Sequence, residues 1–223
     1  MKKLSPISKN SSSSLPHEKM PTRRWIDEAK RDYYRRRARE EGYRSRAAYK
    51  LLEAQKRFQL LKRGDIVVEL GAWPGGMSQA AARIVGPEGL VIAVDRREFE
   101  RFEEENIITL QLDILEDDVA SEILKILDGK LADVLISDAS PRFTGVRDVD
   151  MIRQYELSLK SYEISRRIVK TNGSIMLKAF DCEEVRELEQ TIRREYRFVK
   201  RFIPKAKRKT SSEFYFIGLG KIV

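Results

Sequence analysis

The sequence contains few of the residues on which many enzymes depend. Cys182 is the only cysteine and His17 is the only histidine among the 223 residues. A single cysteine excludes an intramolecular disulfide and a cysteine-based zinc cluster, and His17 lies in a polar N-terminal stretch. We therefore expect no metal site, and any general base should be a lysine, aspartate, glutamate or tyrosine.

Long apolar segments are also missing. No apolar run approaches the roughly 18 residues that span a bilayer, and the N-terminal region lacks the apolar core of a secretory signal. We therefore expect a cytoplasmic protein that does not associate with membranes. Its length suffices for one substantial domain with a buried core.

Positive charge is abundant and unevenly placed, within a formal net charge of +9. Residues 21–63 contain fifteen Lys/Arg and six Asp/Glu, and residues 197–209 contain seven Lys/Arg and no acid. Segregated basic segments are typical of proteins that bind a polyanion. The alternative is a solvated surface or a set of ion-pair networks. We favour RNA as the partner of a monomeric protein.

Residues 65–79, DIVVELGAWPGGMSQ, form the central motif. Ile66–Leu70 predicts a buried strand, the glycines that follow predict a sharp turn, and residues 78–85 predict a helix. The glycine spacing matches neither the dinucleotide fingerprint nor the P-loop. A second apolar strand at residues 90–94 ends at Asp95, where an acid suits a ribose diol. An adenosine-containing cofactor is the leading interpretation.

The remaining chain alternates between predicted strands and helices. The strands are expected at residues 107–112, 132–137, 174–177, 198–203 and 214–219, and the helices at residues 25–41, 45–58, 117–127, 149–169 and 183–195. Asn172-Gly173 is expected to end the helix at 149–169. This alternation predicts an α/β fold, a Rossmann-like and mostly parallel sheet of seven strands. The short connection at 204–212 predicts a terminal antiparallel hairpin, which is typical of class I methyltransferases.

Ligands of such sheets bind outside the carboxyl ends of the strands. Five successive predicted strands each place a turn glycine or a charged residue at that edge, namely Gly71, Asp95, Asp113, Asp138 and Lys178. Any one of them could be a solvated loop residue, but all five together favour a binding site.

Several motifs resemble the FtsJ-type ribosomal RNA large-subunit 2′-O-ribose methyltransferases, over residues 31–222. The similar segments are SRAAYKLLE (45–53), ELGAWPGGMSQ (69–79), SDASPRFTG (137–145), IMLKAF (175–180) and SSEFYFIG (211–218). The resemblance implies a class I fold that uses S-adenosylmethionine to methylate a uridine ribose in the A-loop of large-subunit RNA. It also implies a catalytic Lys-Asp-Lys-Glu quartet, which falls on Lys50, Asp138, Lys178 and Glu213.

The resemblance also implies the cofactor site. The methionine and ribose portions of S-adenosylmethionine would lie close to Gly71, Gly75, Gly76 and Met77. The ribose hydroxyls would bind Asp95, and the adenine would contact Asp113 or the Ile114 backbone. Asp138 would close the pocket. Met77 stands where the family usually has tryptophan, and Ala72-Trp73-Pro74 stands where the family commonly has Ala-Ala-Pro or Ala-Pro. Arg142-Phe143-Thr144 differs from the bacterial triplet, on the substrate side.

The mechanistic hypothesis assigns the base, or its immediate relay, to Lys178. Lys50 would supply positive charge to the ribose or phosphate, Asp138 would position Lys178, and Glu213 would orient either lysine. A lysine is a base only when its pKa falls toward neutrality. The structural alternative is that these four residues form ordinary ion pairs.

Domain boundaries follow from composition. Residues 1–22 are expected to form a disordered polar tail. Residues 23–223 are expected to form one methyltransferase domain, with a basic helical region at 23–63 and the Rossmann-like core at 64–223.

Three other functions remain open. The same quartet could methylate another RNA, such as tRNA or an mRNA cap. A non-catalytic RNA-binding ribosome-assembly factor could retain a pocket for S-adenosylmethionine, although mere binding does not require Lys178 beside Asp138. A nicotinamide dehydrogenase is disfavoured by the glycine spacing.

Overall fold

A computed structural model describes residues 33–116, 118–206 and 212–222. The tail predicted at 1–22 and the first part of the helix predicted at 25–41 lie outside these residues. Within the described chain, residues 33–40 are helical and are called α1.

Helices and strands then alternate along the chain as the sequence predicts. They are α2 (Ala48–Phe58), β1 (Ile66–Leu70), α3 (Gly76–Val85), β2 (Leu90–Asp95), β3 (Ile107–Gln111), α4 (Val119–Ile126), β4 (Ala132–Ser137), α5 (Arg147–Ile168), β5 (Val169–Phe180), α6 (Val185–Glu195), β6 (Tyr196–Phe202) and β7 (Glu213–Lys221). The seven strands form one sheet in the order β3-β2-β1-β4-β5-β7-β6. Strand β7 runs antiparallel to both of its neighbours, and all other pairs are parallel. The predicted Rossmann-like fold and its terminal hairpin are confirmed.

Helices cover both faces of the sheet, which explains the near-continuous apolar runs of the central strands. Successive side chains of a strand point to opposite faces, so Val67 and Val68 enter different cores. Val68 packs with residues of α4, α5 and α6, and Val67 packs with residues of α2 and α3. The second core holds α2, and with it Lys50, against the body of the fold.

The prediction that Asn172-Gly173 ends a helix is wrong. Helix α5 ends at Ile168, and β5 starts at the next residue. Asn172, with φ of 65°, lies in a bulge, because Val169 is paired with Ala132 and Ser174 with Val134. The extra residues of β5 therefore face Asp133, whose carboxylate binds Lys170. An asparagine with a positive φ can occupy a β-bulge as well as the end of a helix.

Candidate active site

The structure brings together the four side chains of the predicted quartet. The Lys50 Nζ lies 3.1 Å from the nearer Asp138 carboxylate oxygen and 2.9 Å from a Glu213 carboxylate oxygen. The Lys178 Nζ lies 3.2 Å from the same Asp138 oxygen and 3.9 Å from the other Glu213 oxygen. All four side chains are largely buried, with exposed fractions between 7% and 14%. Two lysines thus share two carboxylates in one cluster.

The sheet topology explains this meeting. Asp138 follows β4 directly, and its N–H donates to the Leu70 carbonyl at the carboxyl end of β1. Strand β5 continues past that edge, so Lys178 lies inside the strand, opposite Tyr215 of β7. Glu213 is the first residue of β7, paired with Phe180. The antiparallel direction of β7 thus brings its amino end to the edge where the parallel strands end.

Tyr215 is a member of the cluster that sequence reasoning missed. Its hydroxyl donates to an Asp138 carboxylate oxygen at 2.5 Å and accepts a hydrogen bond from the Lys50 Nζ at 2.8 Å. The residue is completely buried. A signal existed in the sequence, because residues two apart in a strand share a face and Glu213 was already a candidate.

Burial and paired charges set the ionisation of the cluster. Burial opposes ionisation of Asp138, but Lys178 and Lys50 outweigh it and hold the pKa of the carboxyl well below its usual range. Burial likewise opposes the charge on Lys50, but Asp138 and Glu213 outweigh it and raise the pKa of Lys50. Burial, together with Asp138 and Glu213, raises the pKa of Tyr215 well above its usual value. Asp138 is therefore a carboxylate, Lys50 an ammonium group and Tyr215 a neutral donor.

The two lysines have different surroundings. Lys50 donates to Asp138 and Tyr215 and is paired closely with Glu213. Lys178 has one close carboxylate, Asp138, and otherwise donates to the Ser140 hydroxyl and to the Asp138 carbonyl oxygen at 3.3 Å. Lys50 is thus held mainly by two carboxyl groups, and Lys178 partly by neutral oxygens.

The glycine-rich turn lies between β1 and α3, beside this cluster. Gly71 has a φ of 72°, and a Cβ there would collide with the backbone of Ala139. Gly76 begins α3, and a Cβ there would collide with Ser45. These glycines are therefore required by the packing of the turn itself. The Met77 side chain is completely buried in the core, so any contact of Met77 with a cofactor would come from its backbone in the first turn of α3.

Asp95 is fixed at the carboxyl end of β2. One carboxylate oxygen accepts the Trp73 N–H at 3.1 Å, and the other accepts the Arg97 N–H at 3.0 Å. Each oxygen has a second lone pair for a further donor. Asp113, after β3, accepts the Leu115 N–H at 3.1 Å. Both acids lie at the edge that Gly71, Asp138 and Lys178 also occupy, as the sequence predicts.

Glu69 is a second residue that sequence reasoning did not assign to the site. It is buried in β1, and its carboxyl accepts a hydrogen bond from the Ser78 hydroxyl at 2.5 Å. Burial raises its pKa to about 8, and the nearby charges of Asp138 and Asp95 add to the effect. Glu69 therefore keeps its proton at neutral pH, next to the carboxyl groups of Asp138 and Asp95.

Neither a metal-binding cluster nor a membrane-spanning helix is present among the described residues. No group of three or more His, Cys, Asp or Glu side chains there could hold a metal ion. Within those same residues, no helix is both long and apolar enough to cross a membrane.

This chain is similar to known proteins in sequence and in fold. The FtsJ-like methyltransferase family matches residues 43–221. The Ribosomal RNA large subunit methyltransferase E of Methanothermobacter thermautotrophicus is 41% identical over 196 residues, which cover 88% of this chain and 92% of that protein. The protein of the same name from Hydrogenovibrio crunogenus is 38% identical and covers 88% of this chain and 95% of its own length.

One solved structure supports the fold. A Plasmodium falciparum protein assigned to the ribosomal RNA methyltransferases superposes with a TM-score of 0.73 at 24% identity. The match covers 81% of this chain and 99% of that one. At this identity the likeness concerns the fold alone.

Proposed function

Because this chain belongs to the FtsJ-like methyltransferase family, we propose that it transfers a methyl group from S-adenosylmethionine to a ribose 2′-hydroxyl of large-subunit ribosomal RNA. We propose a uridine of the A-loop as the target. The observation that carries the proposal is the cluster in which Lys50 and Lys178 share Asp138 and Glu213. The names of the relatives support the substrate class, and the basic segments support an RNA partner.

The residues at the edge of the sheet fit S-adenosylmethionine. Asp95 has free lone pairs for a ribose diol, Asp113 and the Ile114 backbone lie at the next strand for the adenine, and Gly71, Gly75 and Gly76 allow close approach of a ligand to the backbone. Asp138 supplies negative charge for a ligand with an ammonium and a sulfonium group. When bound, this cofactor supplies an electrophilic methyl group.

The chain's own residues would then manage the proton of the ribose hydroxyl. A hydroxyl becomes a good nucleophile as its proton leaves. We assign the proton acceptor to the Nζ of Lys178, which has one close carboxylate, Asp138, whereas Lys50 has two, Asp138 and Glu213. Lys50 would remain charged and attract the developing alkoxide. Asp138 would orient both lysines, and Tyr215 and Glu213 would hold Asp138 and Lys50 in place.

We also propose one domain for residues 23–223, after a polar tail at 1–22. Residues 33–63 support this because they pack against the core at residues 64–223. The Arg44 N–H donates to the Gln79 side chain of α3 at 2.8 Å, and the Arg44 guanidinium donates to the Glu100 carbonyl oxygen at 2.8 Å.

The test is methyl transfer from tritiated S-adenosylmethionine to large-subunit ribosomal particles that lack ribose methylation, with the labelled nucleotide mapped. We expect label on one ribose. Lys178→Ala should lower kcat by at least about 100-fold, the lower range for a lost general base, while the Kd for S-adenosylhomocysteine stays within about twofold. Lys170→Ala is the matched control, because Lys170 lies on the same strand but binds Asp133.

The possible results separate the alternatives. Label on tRNA or capped RNA instead would preserve the chemistry and refute the ribosomal substrate. Cofactor binding without transfer to any RNA would refute catalysis and favour an assembly factor. Near-normal transfer by Lys178→Ala would refute the assigned base.

A further inference from the structure

An exposed aromatic ring lies at the rim of the cluster. Phe143 is 57% exposed, although it is a large apolar side chain. Its ring lies nearly parallel to that of Phe180, with an angle of 12° between the planes and 6.0 Å between the centroids. Phe180 is itself buried. Phe143 is therefore backed by a second ring and presents most of its own surface to solvent.

The loop that carries Phe143 is held by an acid of the following helix. Asp150, in the first turn of α5, accepts the Thr144 N–H at 2.7 Å, the Thr144 hydroxyl at 2.9 Å and the Gly145 N–H at 3.1 Å. Asp150 is buried, and these donors hold its pKa below its usual value. The two residues that follow Phe143 are thus anchored, so the exposed ring is held in place without being covered.

The position of the ring relative to the lysines suits one nucleoside. Phe180 lies two residues beyond Lys178 on β5, so both side chains point to the same face, with Cα atoms about 6.6 Å apart. Phe180 is also paired with Glu213. Four residues separate Phe143 from Asp138, which contacts Lys178. A ribose beside Lys178 would therefore have its base near the Phe143 ring.

The side chains around Phe143 are of the types that contact a nucleic acid. Exposed arginines lie on the same loop and the first turns of α5, at Arg142, Arg147 and Arg153, and can contact phosphates. Exposed apolar side chains that could contact a base or sugar lie among them, at Val146, Val149 and Ile152. Aromatic rings next to basic side chains are typical of surfaces that bind unpaired nucleotides.

We propose that Phe143 is the platform on which the base of the target nucleotide stacks while its ribose lies against Lys178 and Asp138. This inference rests on the proposed function and deepens it by naming a substrate subsite. Stacking tolerates every base, because each has a π-face. Phe143 therefore contributes affinity and orientation for an unpaired nucleotide, and the identity of the base is read elsewhere.

The test compares three substitutions in the full chain, with the ribosomal particle that the wild-type protein methylates as the substrate. Phe143→Ala should lower kcat/KM for the RNA by about 5- to 150-fold, the range for loss of one base–aromatic stack. Phe143→Trp should restore the rate to within about threefold of wild type. Phe143→Leu, which keeps apolar bulk without an aromatic face, should resemble Phe143→Ala.

Two controls isolate the effect. Ile126→Ala removes an exposed apolar side chain from α4, away from this surface, and should leave kcat/KM within about twofold of wild type. The Kd for S-adenosylhomocysteine, measured by calorimetry, should be unchanged in all variants, which also shows that each is folded. A substrate whose target nucleotide lacks its base should react equally slowly with wild type and Phe143→Ala.

Full activity of Phe143→Ala or of Phe143→Leu would overturn the proposal. Activity of Phe143→Trp as low as that of Phe143→Ala would also overturn it, because an aromatic platform should be replaceable by a larger one. These results are distinct from failure of the proposed function, in which the wild-type protein itself methylates no RNA.

Discussion

Glu69 and Asp138 are buried carboxyls at the same edge of the sheet, yet their surroundings move their pKa values in opposite directions. Burial raises the pKa of Glu69 to about 8, since its described partner is the neutral Ser78 hydroxyl. Burial also raises the pKa of Asp138, but the charges of Lys178 and Lys50 and the Tyr215 hydrogen bond together outweigh burial and lower it. Individual neighbours, rather than burial alone, decide which acid is ionised at neutral pH.

The first prediction concerns Glu69 and pH. Its folded pKa of about 8 lies above its usual value of 4.5, so the folded protein keeps a proton that the unfolded chain releases. The wild-type protein should lose stability as the pH rises through this window. Glu69→Gln keeps an oxygen for Ser78 but cannot ionise. The free energy of unfolding of Glu69→Gln, relative to that of the wild type, should therefore increase by about 3–5 kcal/mol between pH 4.5 and pH 8.5.

Urea unfolding of both proteins at pH 5, 7 and 8.5 measures this difference. A constant difference between the two proteins across these pH values would contradict the raised pKa. Glu122→Gln, on exposed α4, is a control that should show no such trend within the same range.

The second prediction concerns Tyr215, whose hydroxyl contacts both Asp138 and Lys50. Tyr215→Phe retains the ring but leaves these buried groups with one partner fewer. The free energy of unfolding should fall by about 1–3 kcal/mol, the cost of unsatisfied buried polar groups, and methyl transfer should slow. Thermal and urea unfolding measure the first effect. Tyr33→Phe, at an exposed position, should change stability by less than about 0.5 kcal/mol.

At the scale of elements, the turn between β1 and α3 determines how closely other segments can approach. Gly71 donates its N–H to the Val94 carbonyl oxygen at 2.9 Å and lies against the backbone of Ala139. The turn thus joins β1, β2 and the segment after β4, and it carries the proposed cofactor contacts. The packing of the turn needs glycine at position 71, and the proposed close approach of a cofactor would need glycine as well.

The third prediction compares two glycines with similar backbone conformations. Gly71→Ala must accommodate a left-handed residue, at about 1–2 kcal/mol, and a collision with Ala139. We expect a total loss of at least about 2 kcal/mol in the free energy of unfolding. Gly64 has a φ of 81° but nothing within 4 Å of an added Cβ. Gly64→Ala should therefore lower the free energy of unfolding only by the cost of a left-handed alanine, about 1–2 kcal/mol. Equal losses for Gly64→Ala and Gly71→Ala in urea unfolding would contradict the packing argument.

At the scale of the whole molecule, the buried cluster of the proposed active site is distinct from the segments that carry most of the positive charge. The quartet pairs two lysines with two acids in a buried cluster, whereas the net charge of +9 comes largely from the basic segments at 21–63 and 197–209. Helix α1 exposes Arg35 and Arg39. Such surfaces attract phosphates over a distance, so we expect RNA to meet the basic segments before it reaches the proposed site.

The fourth prediction is a salt dependence. RNA affinity should fall linearly in a plot of log K against log salt concentration, with a slope of about −0.7 to −0.9 per phosphate contact. The double variant Arg35→Gln/Arg39→Gln should reduce the steepness by about 1.4 to 1.8 if both contact phosphates. Filter binding of large-subunit RNA at 50–300 mM salt measures the slope. Lys125→Gln/Lys130→Gln, around α4, should leave it unchanged.

Much of the fold was predictable from local patterns. The apolar runs of β1, β2 and β4 and the turn residues between them are local features, so they predict elements and their order without knowledge of distant contacts. Because parallel strands end at one edge, the order also predicts that Asp95, Asp138 and Lys178 lie at a common edge. Lys50 and Glu213 were assigned through the family resemblance, since no spacing in the chain relates them to that edge.

Only the tertiary structure decided which groups touch. Tyr215 joins Asp138 and Lys50 because β7 is inserted antiparallel next to β5, and the same pairing brings Glu213 to the site. The Met77 side chain is directed into the core by the packing of α3, and Asn172 enters a bulge because β5 starts earlier than its apolar pattern indicates. By itself, the sequence determined the elements and their order, because these depend on neighbours in the chain. The contacts, the burial and the ionisation depend on segments that meet only when the sheet is assembled.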